Sequence, residues 1–216
     1  MNTDYARLQM VNQQVRGWNV YSEDVLGMLR KLPRENFVPQ GYEALAFAEH
    51  EIPLGHGEYM MTPTIEGRVL QALQLRGDEN VLEIGTGSGF LTACLAKLAA
   101  HVTSIDIHGD FVTGAGRKLE QEGIDNVTLL HMDAMQALPD GSFDAIAVTG
   151  SVQRFDPRFV EALSERGRLF IVVGKAPAME AKLVERTDAR DWHTVSLFET
   201  NLKPLVHGAL PPQFIF

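Results

Sequence analysis

The sequence predicts an α/β fold: a doubly wound, mostly parallel sheet preceded by an N-terminal helical extension. Three observations carry that prediction. From residue 80 onwards, short β-rich runs alternate with helical stretches, the order that builds parallel sheets through right-handed crossovers. The first of those runs leads into a glycine-rich turn, VLEIGTGSGF, at the end of a strand where open sheets bind their ligands. The residues ahead of it show helical spacing and turn-rich stretches instead.

The elements follow in order. Leu8, Val11 and Val15 recur with helical spacing, and a second helix starts near Ser22, with Glu23 and Asp24 favouring its N-terminus and Val25, Leu29 and Leu32 on its buried face. Pro33 ends it, and residues 34 to 62 read as a loop-rich segment. Thr62 is an N-cap followed by proline at the first helical position, and Ile65, Val69, Ala72 and Leu73 form the apolar stripe of the next helix. The runs NVLEIG, HVTSIDI, NVTLLHM, FDAIAVTG and GRLFIVVG are then strands. Between them lie helices from about Ser88 to Ala99, Asp110 to Gln121 and Pro157 to Ser164. AMEAKLVERTD is a helix or the start of a strand, and WHTVSLFETNL closes the sheet with antiparallel pairing. KPLVHGALPPQFIF reads as an extended tail packed on the surface or on a partner.

A chain of 216 residues suits one domain, divided into a helical and loop region (1–75), an α/β core (76–200) and a C-terminal tail (201–216). Apolar residues at 45% and charged residues at 22% argue against wholesale disorder and fibrous repeats. A net charge of -9 without a basic run argues against nucleic acid and anionic membranes as partners. Cys94 is the only cysteine, so no intrachain disulfide or multi-cysteine metal site can form, and no metal is expected. The N-terminus MNTDYARLQMVNQQV is neither a secretory signal nor a membrane span, which makes the cytoplasm the expected location, with a monomer or homodimer as the expected state.

The glycine turn comprises Gly85, Thr86, Gly87, Ser88 and Gly89, and two ligand classes compete for it. A dinucleotide fold wants G-x-G-x-x-G, which needs glycine where Phe90 stands. Glu83, ahead of the turn, suits a cationic ligand better than a pyrophosphate. S-adenosylmethionine carries both an ammonium and a sulfonium and fits that acid. Asp106 ends the next strand 21 positions beyond Gly85, beside Ile107, where a carboxylate accepts ribose hydroxyls. Asp133 and the backbone N–H of Ala134 follow the third strand and are placed to read an adenine edge, and Thr149 ends the fourth, beneath the methyl-donor end of the site. A lone aspartate at a strand end is usually a turn or helix cap. Three such features at successive strand ends argue for a nucleotide-like cofactor.

With those residues in view, the sequence resembles the protein-L-isoaspartate O-methyltransferase family. The segments MVNQQVRGWNV, VLGMLRKLPRENFVP, EIPLGHGEYMMTP, VLEIGTGSGF and GRLFIVVG fall in the family's order over roughly residues 8 to 175. The resemblance implies a Rossmann-like class I methyltransferase with S-adenosylmethionine as cofactor. It further implies that the acceptor is the carboxylate of isomerised aspartate in a protein or peptide, a repair reaction, and that the loop region before residue 75 receives it. Two departures stand out. The family's serine near the transferred methyl is replaced by Met61, which offers no hydroxyl, so Thr62 or Tyr59 would have to substitute. The stretch SLFETNLKPLVHGALPPQFIF runs past the recognisable match.

Met60 and Met61 either form an apolar acceptor face or fill core space. His56, between Gly55 and Gly57, reads as a turn residue before it reads as a base, and Cys94 as a packing residue before a nucleophile. Alternatives to the isoaspartyl reading are a methyltransferase retargeted to another acceptor and a cofactor-binding protein without activity.

Overall fold

The computed structural model describes residues 3–188 and 191–208. The helical extension begins with α1 (Thr3–Gln9), which continues through a π-helical turn over Met10–Val15 and a 3-10 turn over Arg16–Trp18, ending at Asn19 with a left-handed φ of 63°. Met10, Val11 and Val15 are buried from this segment. In α2 (Glu23–Lys31) the Ser22 hydroxyl accepts the Val25 N–H at 3.4 Å, acids occupy the first turn and Arg30 and Lys31 the last, so cap and dipole agree. α3 (Pro63–Leu73) starts after Thr62 as expected, although the Thr62 side chain makes no capping bond.

Residues 52–60, within the segment read as loop, form a small antiparallel hairpin, β1 (Ile52–Gly55) with β2 (Glu58–Met60). Its turn places His56 at φ 52° and Gly57 at φ 73°, the left-handed pair that two-residue hairpin turns require.

The main sheet comprises β3 (Asn80–Ile84), β4 (His101–Asp106), β5 (Val127–His131), β6 (Phe143–Val152), β7 (Leu163–Lys175), β8 (Ala178–Arg186) and β9 (Trp192–Thr200). Its order is β5-β4-β3-β6-β7-β8-β9, parallel from β5 to β7 and antiparallel thereafter, so both final strands take the expected closing role and AMEAKLVERTD resolves as strand. Connections α4 (Phe90–Leu98), α5 (Gly109–Gln121) and α6 (Arg158–Glu161) cover the faces. The period of two sorts β3 between two cores: Val81 joins the cluster of α2, α3 and α4, while Leu82 and Ile84 join that of Phe159, Leu169 and Ile171.

Three boundaries differ from expectation. α4 starts at Phe90 instead of Ser88, because Gly89 stands at φ 85° and its N–H closes a turn onto the Thr86 carbonyl at 2.9 Å. α6 stops at Glu161, because the fully buried Leu163 already pairs with Phe143 in the sheet. β6 runs past Thr149 and Gly150 to Val152, because the tail joins its end: Ser151 N–H donates to Lys203 O and Leu205 N–H to Ser151 O, each at 2.9 Å. Of the expected tail, residues 209–216 lie outside the described residues.

Candidate active site

A cavity opens at the carboxyl ends of β3, β4 and β6, roofed by the β1–β2 hairpin and by tail residues 202–206. The chain reverses there between β3 and α4, and the reversal depends on glycine. Gly85, Gly87 and Gly89 all have positive φ, and a Cβ on Gly85 would stand 2.1 Å from Thr149 Oγ1. That hydroxyl donates to the carbonyls of Ile84 (2.9 Å) and Gly85 (3.0 Å), pinning the turn to β6.

Glu83 lies beneath the turn, fully buried. Its Oε2 accepts from the Ser104 hydroxyl at 2.5 Å and from the Thr92 hydroxyl, while Oε1 has no hydrogen-bond partner. Burial pushes its pKa up to about 8 against the two hydroxyl bonds, so the carboxyl on the cavity wall holds its proton near neutrality and ionises when a cation stands beside it. Asp106 is 7% exposed; its oxygens accept one N–H each, from Gly87 (2.9 Å) and His108 (2.8 Å), which leaves acceptor capacity facing the cavity. Burial raises its pKa despite those bonds. Thr86 and Ser104 join their hydroxyls at 2.7 Å, and Ser88 Oγ accepts the Phe90 N–H at 3.2 Å, so both turn hydroxyls serve the turn itself. Ile107 lines the cavity and its carbonyl lies 2.9 Å from His131 Nε2.

Asp133 accepts the Met135 N–H at 2.9 Å through one oxygen and contacts His207 Nδ1 at 2.8 Å through the other; Ala134 beside it is buried. Burial would raise the Asp133 pKa, but the His207 and Met135 bonds prevail and hold it low. On the hairpin side, Met61 is 8% exposed and lines the cavity, and its carbonyl accepts from Arg34 Nη2 at 2.7 Å. Tyr59 also lines it, half exposed at the rim. Thr62 is not on the wall: its hydroxyl lies 3.2 Å from that of Thr64, which in turn bonds Glu49.

Contacts between segments distant in the sequence also shape the site. Arg34, in LPRENFVP, is fully buried and grips Glu66 through Nε at 2.9 Å and Nη2 at 3.2 Å. Burial outweighs that pairing and moves the Glu66 pKa up to about 7. His56 Nε2 lies 2.9 Å from Asp110 Oδ2 and its ring stacks on His108 with centroids 4.2 Å apart, which ties the hairpin turn to the start of α5. These three side chains bring ligand-type atoms within 4.8 Å of one another, a grouping that the spacing of the sequence does not reveal. Cys94 is buried, and burial raises its thiol pKa, as suits packing over reactivity.

The parallel sheet, the glycine turn at its switch point and an acid at each of three successive strand ends define the class I methyltransferase architecture. Comparison with known proteins narrows the class. The model of the protein-L-isoaspartate(D-aspartate) O-methyltransferase family matches residues 6–209, well beyond residue 175 and into the tail. The protein-L-isoaspartate O-methyltransferase of Aliivibrio salmonicida is 34% identical over 207 residues, covering 95% of this chain and 99% of that protein. That of Koribacter versatilis is 34% identical over 201 residues, covering 93% and 90%. A Plasmodium falciparum chain that bears the name of the same enzyme, crystallised with S-adenosyl-L-homocysteine, superposes with a TM-score of 0.79 at 19% identity over 93% of this chain and 98% of that one, a likeness of fold. The chain belongs to the protein-L-isoaspartate(D-aspartate) O-methyltransferase family, and is with it an S-adenosylmethionine-dependent methyltransferase. Among the described residues, no helix is long and apolar enough to cross a membrane.

Proposed function

We propose that the protein methylates the carboxylate of isomerised aspartyl residues in proteins or peptides, with the cofactor held by the residues of the glycine turn and the three strand ends. The observation that carries the cofactor part of this reading is Glu83: a buried acid with an unpartnered oxygen on the wall fits a cationic ligand, and Gly85 and Gly87 border the same cavity beside it, whereas Gly89 packs against Ala115 off the wall. Asp106 and Ile107 then border the ribose, Asp133 and Ala134 the adenine, and Thr149 the methyl end. When bound, S-adenosylmethionine supplies an electrophilic methyl group on a sulfonium.

The work left to the protein is modest in kind. A carboxylate acceptor is ionised at neutral pH, so no side chain needs to remove a proton, and rate comes from alignment and exclusion of water. The hairpin and tail roof supplies the exclusion, with Met60 at 4% exposure and Met61 at 8% giving it an apolar lining. Met61 cannot orient the acceptor by a hydrogen bond, which forgoes roughly 1.5–3 kcal/mol relative to a hydroxyl donor. Thr62 is engaged with Thr64, which leaves Tyr59 as the hairpin hydroxyl on the wall. A reducing cytoplasm suits the single buried thiol of Cys94, and the cavity is built within one chain, so either a monomer or a homodimer carries complete sites.

Incubation with methyl-labelled cofactor and an isoaspartyl peptide tests the proposal. Transfer to that peptide and not to its normal-aspartyl control is expected; equal or absent transfer overturns it. The apolar residue at position 61 favours a second reading, an acceptor other than isoaspartate, which transfer to a small apolar carboxylic acid in place of the peptide would establish.

A further inference from the structure

The cavity is an acidic place to bring an anion. Its wall includes Glu51, Glu58, Glu66, Glu83, Asp106 and Asp133, and among the described residues it includes one lysine or arginine, Lys203. Burial leaves Glu83 mostly protonated and Glu66 about half protonated at pH 7, and Asp133 is engaged with His207, yet none of these supplies positive charge to an entering carboxylate. We propose that Lys203 is the anchor for the acceptor carboxylate, the group that makes an anionic acceptor acceptable to this site and that compensates for the missing hydroxyl at Met61. The proposal rests on the carboxylate-acceptor reading above.

The geometry suits the role. The Lys203 backbone is fixed at the end of β6: its carbonyl accepts the Ser151 N–H at 2.9 Å, and the carbonyl of Leu202 accepts the Ser151 hydroxyl at 2.8 Å. Its ammonium reaches across to the hairpin turn, donating to the Gly57 carbonyl at 2.8 Å and to the Glu58 carboxylate. An ammonium has three donors, so one proton remains for an acceptor, and the side chain is 44% exposed, open enough to be approached. A charge-assisted bond from a fixed ammonium is stronger than one from a neutral hydroxyl. The Glu58 carboxylate holds the ammonium in place between turnovers and is the group that an acceptor carboxylate displaces or joins.

The test compares the parent with Lys203→Met and Lys203→Arg. An isoaspartyl peptide is titrated calorimetrically into protein saturated with S-adenosylhomocysteine, S-adenosylhomocysteine binding is measured by itself, and methyl transfer is followed at steady state. Lys203→Met is expected to raise the peptide Kd and KM at least tenfold, with kcat changed less than threefold and S-adenosylhomocysteine affinity within twofold of the parent, which also reports an intact fold. Lys203→Arg is expected to recover most of the loss. A peptide carrying an amide in place of the acceptor carboxylate should bind parent and Lys203→Met alike. An unchanged peptide Kd in Lys203→Met overturns the proposal, as does a tenfold loss of S-adenosylhomocysteine affinity, which would assign the lysine to the cofactor's own carboxylate. Lysine-dependent peptide binding without turnover would sink the activity and leave the anchor standing; a parent that binds no isoaspartyl peptide ends both.

Discussion

Replacing Glu83 by glutamine keeps the shape of the side chain and its contact with Thr92 and Ser104 while removing the charge that can develop there. With a pKa of about 8 in the ligand-free protein, roughly ten in eleven Glu83 side chains carry a proton at pH 7. A cationic ligand needs the carboxylate, so binding at pH 7 should release close to one proton, about 0.9 per site. Calorimetry of S-adenosylmethionine binding in two buffers of different ionisation enthalpy measures that number directly. The parent affinity should rise by up to about tenfold per unit as pH approaches 8 and level off above it. Glu83→Gln should release about one proton fewer, lose the pH dependence and bind roughly 10- to 150-fold more weakly, the worth of one charge-assisted hydrogen bond. Stability follows with the opposite sense. The raised pKa means that the folded chain holds a proton that the unfolded chain has lost between pH 4.5 and 8, so stability falls as pH rises through that window and Glu83→Gln flattens the fall. Glu66, raised to about 7, acts in the same direction, so some slope remains below pH 7. A parent that releases no proton, or a Glu83→Gln protein that releases as many, refutes the reasoning.

Other expectations concern the roof and the frame. Met61→Ser should raise kcat/KM for an isoaspartyl peptide by roughly 10- to 100-fold, since a hydroxyl bond to a charged acceptor contributes about 1.5–3 kcal/mol, and unchanged kinetics would show that position 61 does not meet the acceptor. Arg34→Met strips the buried Glu66 of its partner and the Ala46 and Met61 carbonyls of a donor. Urea titration should show a loss of about 3–5 kcal/mol, larger at pH 8 than at pH 5, where Glu66 is neutral. Gly89→Ala forces a left-handed φ on a residue with a side chain and sets its Cβ 2.8 Å from that of Ala115. The backbone cost alone is about 1–2 kcal/mol, so thermal denaturation should move down by at least ~2 °C; an unchanged Tm would refute the strain assigned to this position.

Much of this architecture is legible in the sequence because it rests on local rules. Ser22 and Pro63 announce helix starts, the strand runs show their apolar content, and the glycine turn stands out because positive φ at Gly85, Gly87 and Gly89 leaves little alternative to glycine. The hairpin is not legible because β1 and β2 have four and three residues, too few to display a period of two. The helix read to Ser164 ends at Glu161 because the pairing of Leu163 with Phe143 overrides local propensity. At the site, Glu83 is visible as an acid before the turn, but the groups that hold it, Thr92 and Ser104, come from α4 and β4 and carry no signal of their own. Lys203 and Gly57 are 146 positions apart, and only the folded chain joins them.

The attachment of residues 202–206 to the end of β6 makes the cavity wall a composite of distant segments. A ligand that touches that wall is thermodynamically linked to its docking, and the linkage is reciprocal: the factor by which a docked segment tightens the ligand is the factor by which the ligand suppresses undocking. Protease sensitivity around Lys203 is then a gauge of occupancy, falling as the cavity fills. Selection acting on affinity can likewise work at a distance, through Ser151, which holds the segment to β6 without lining the cavity.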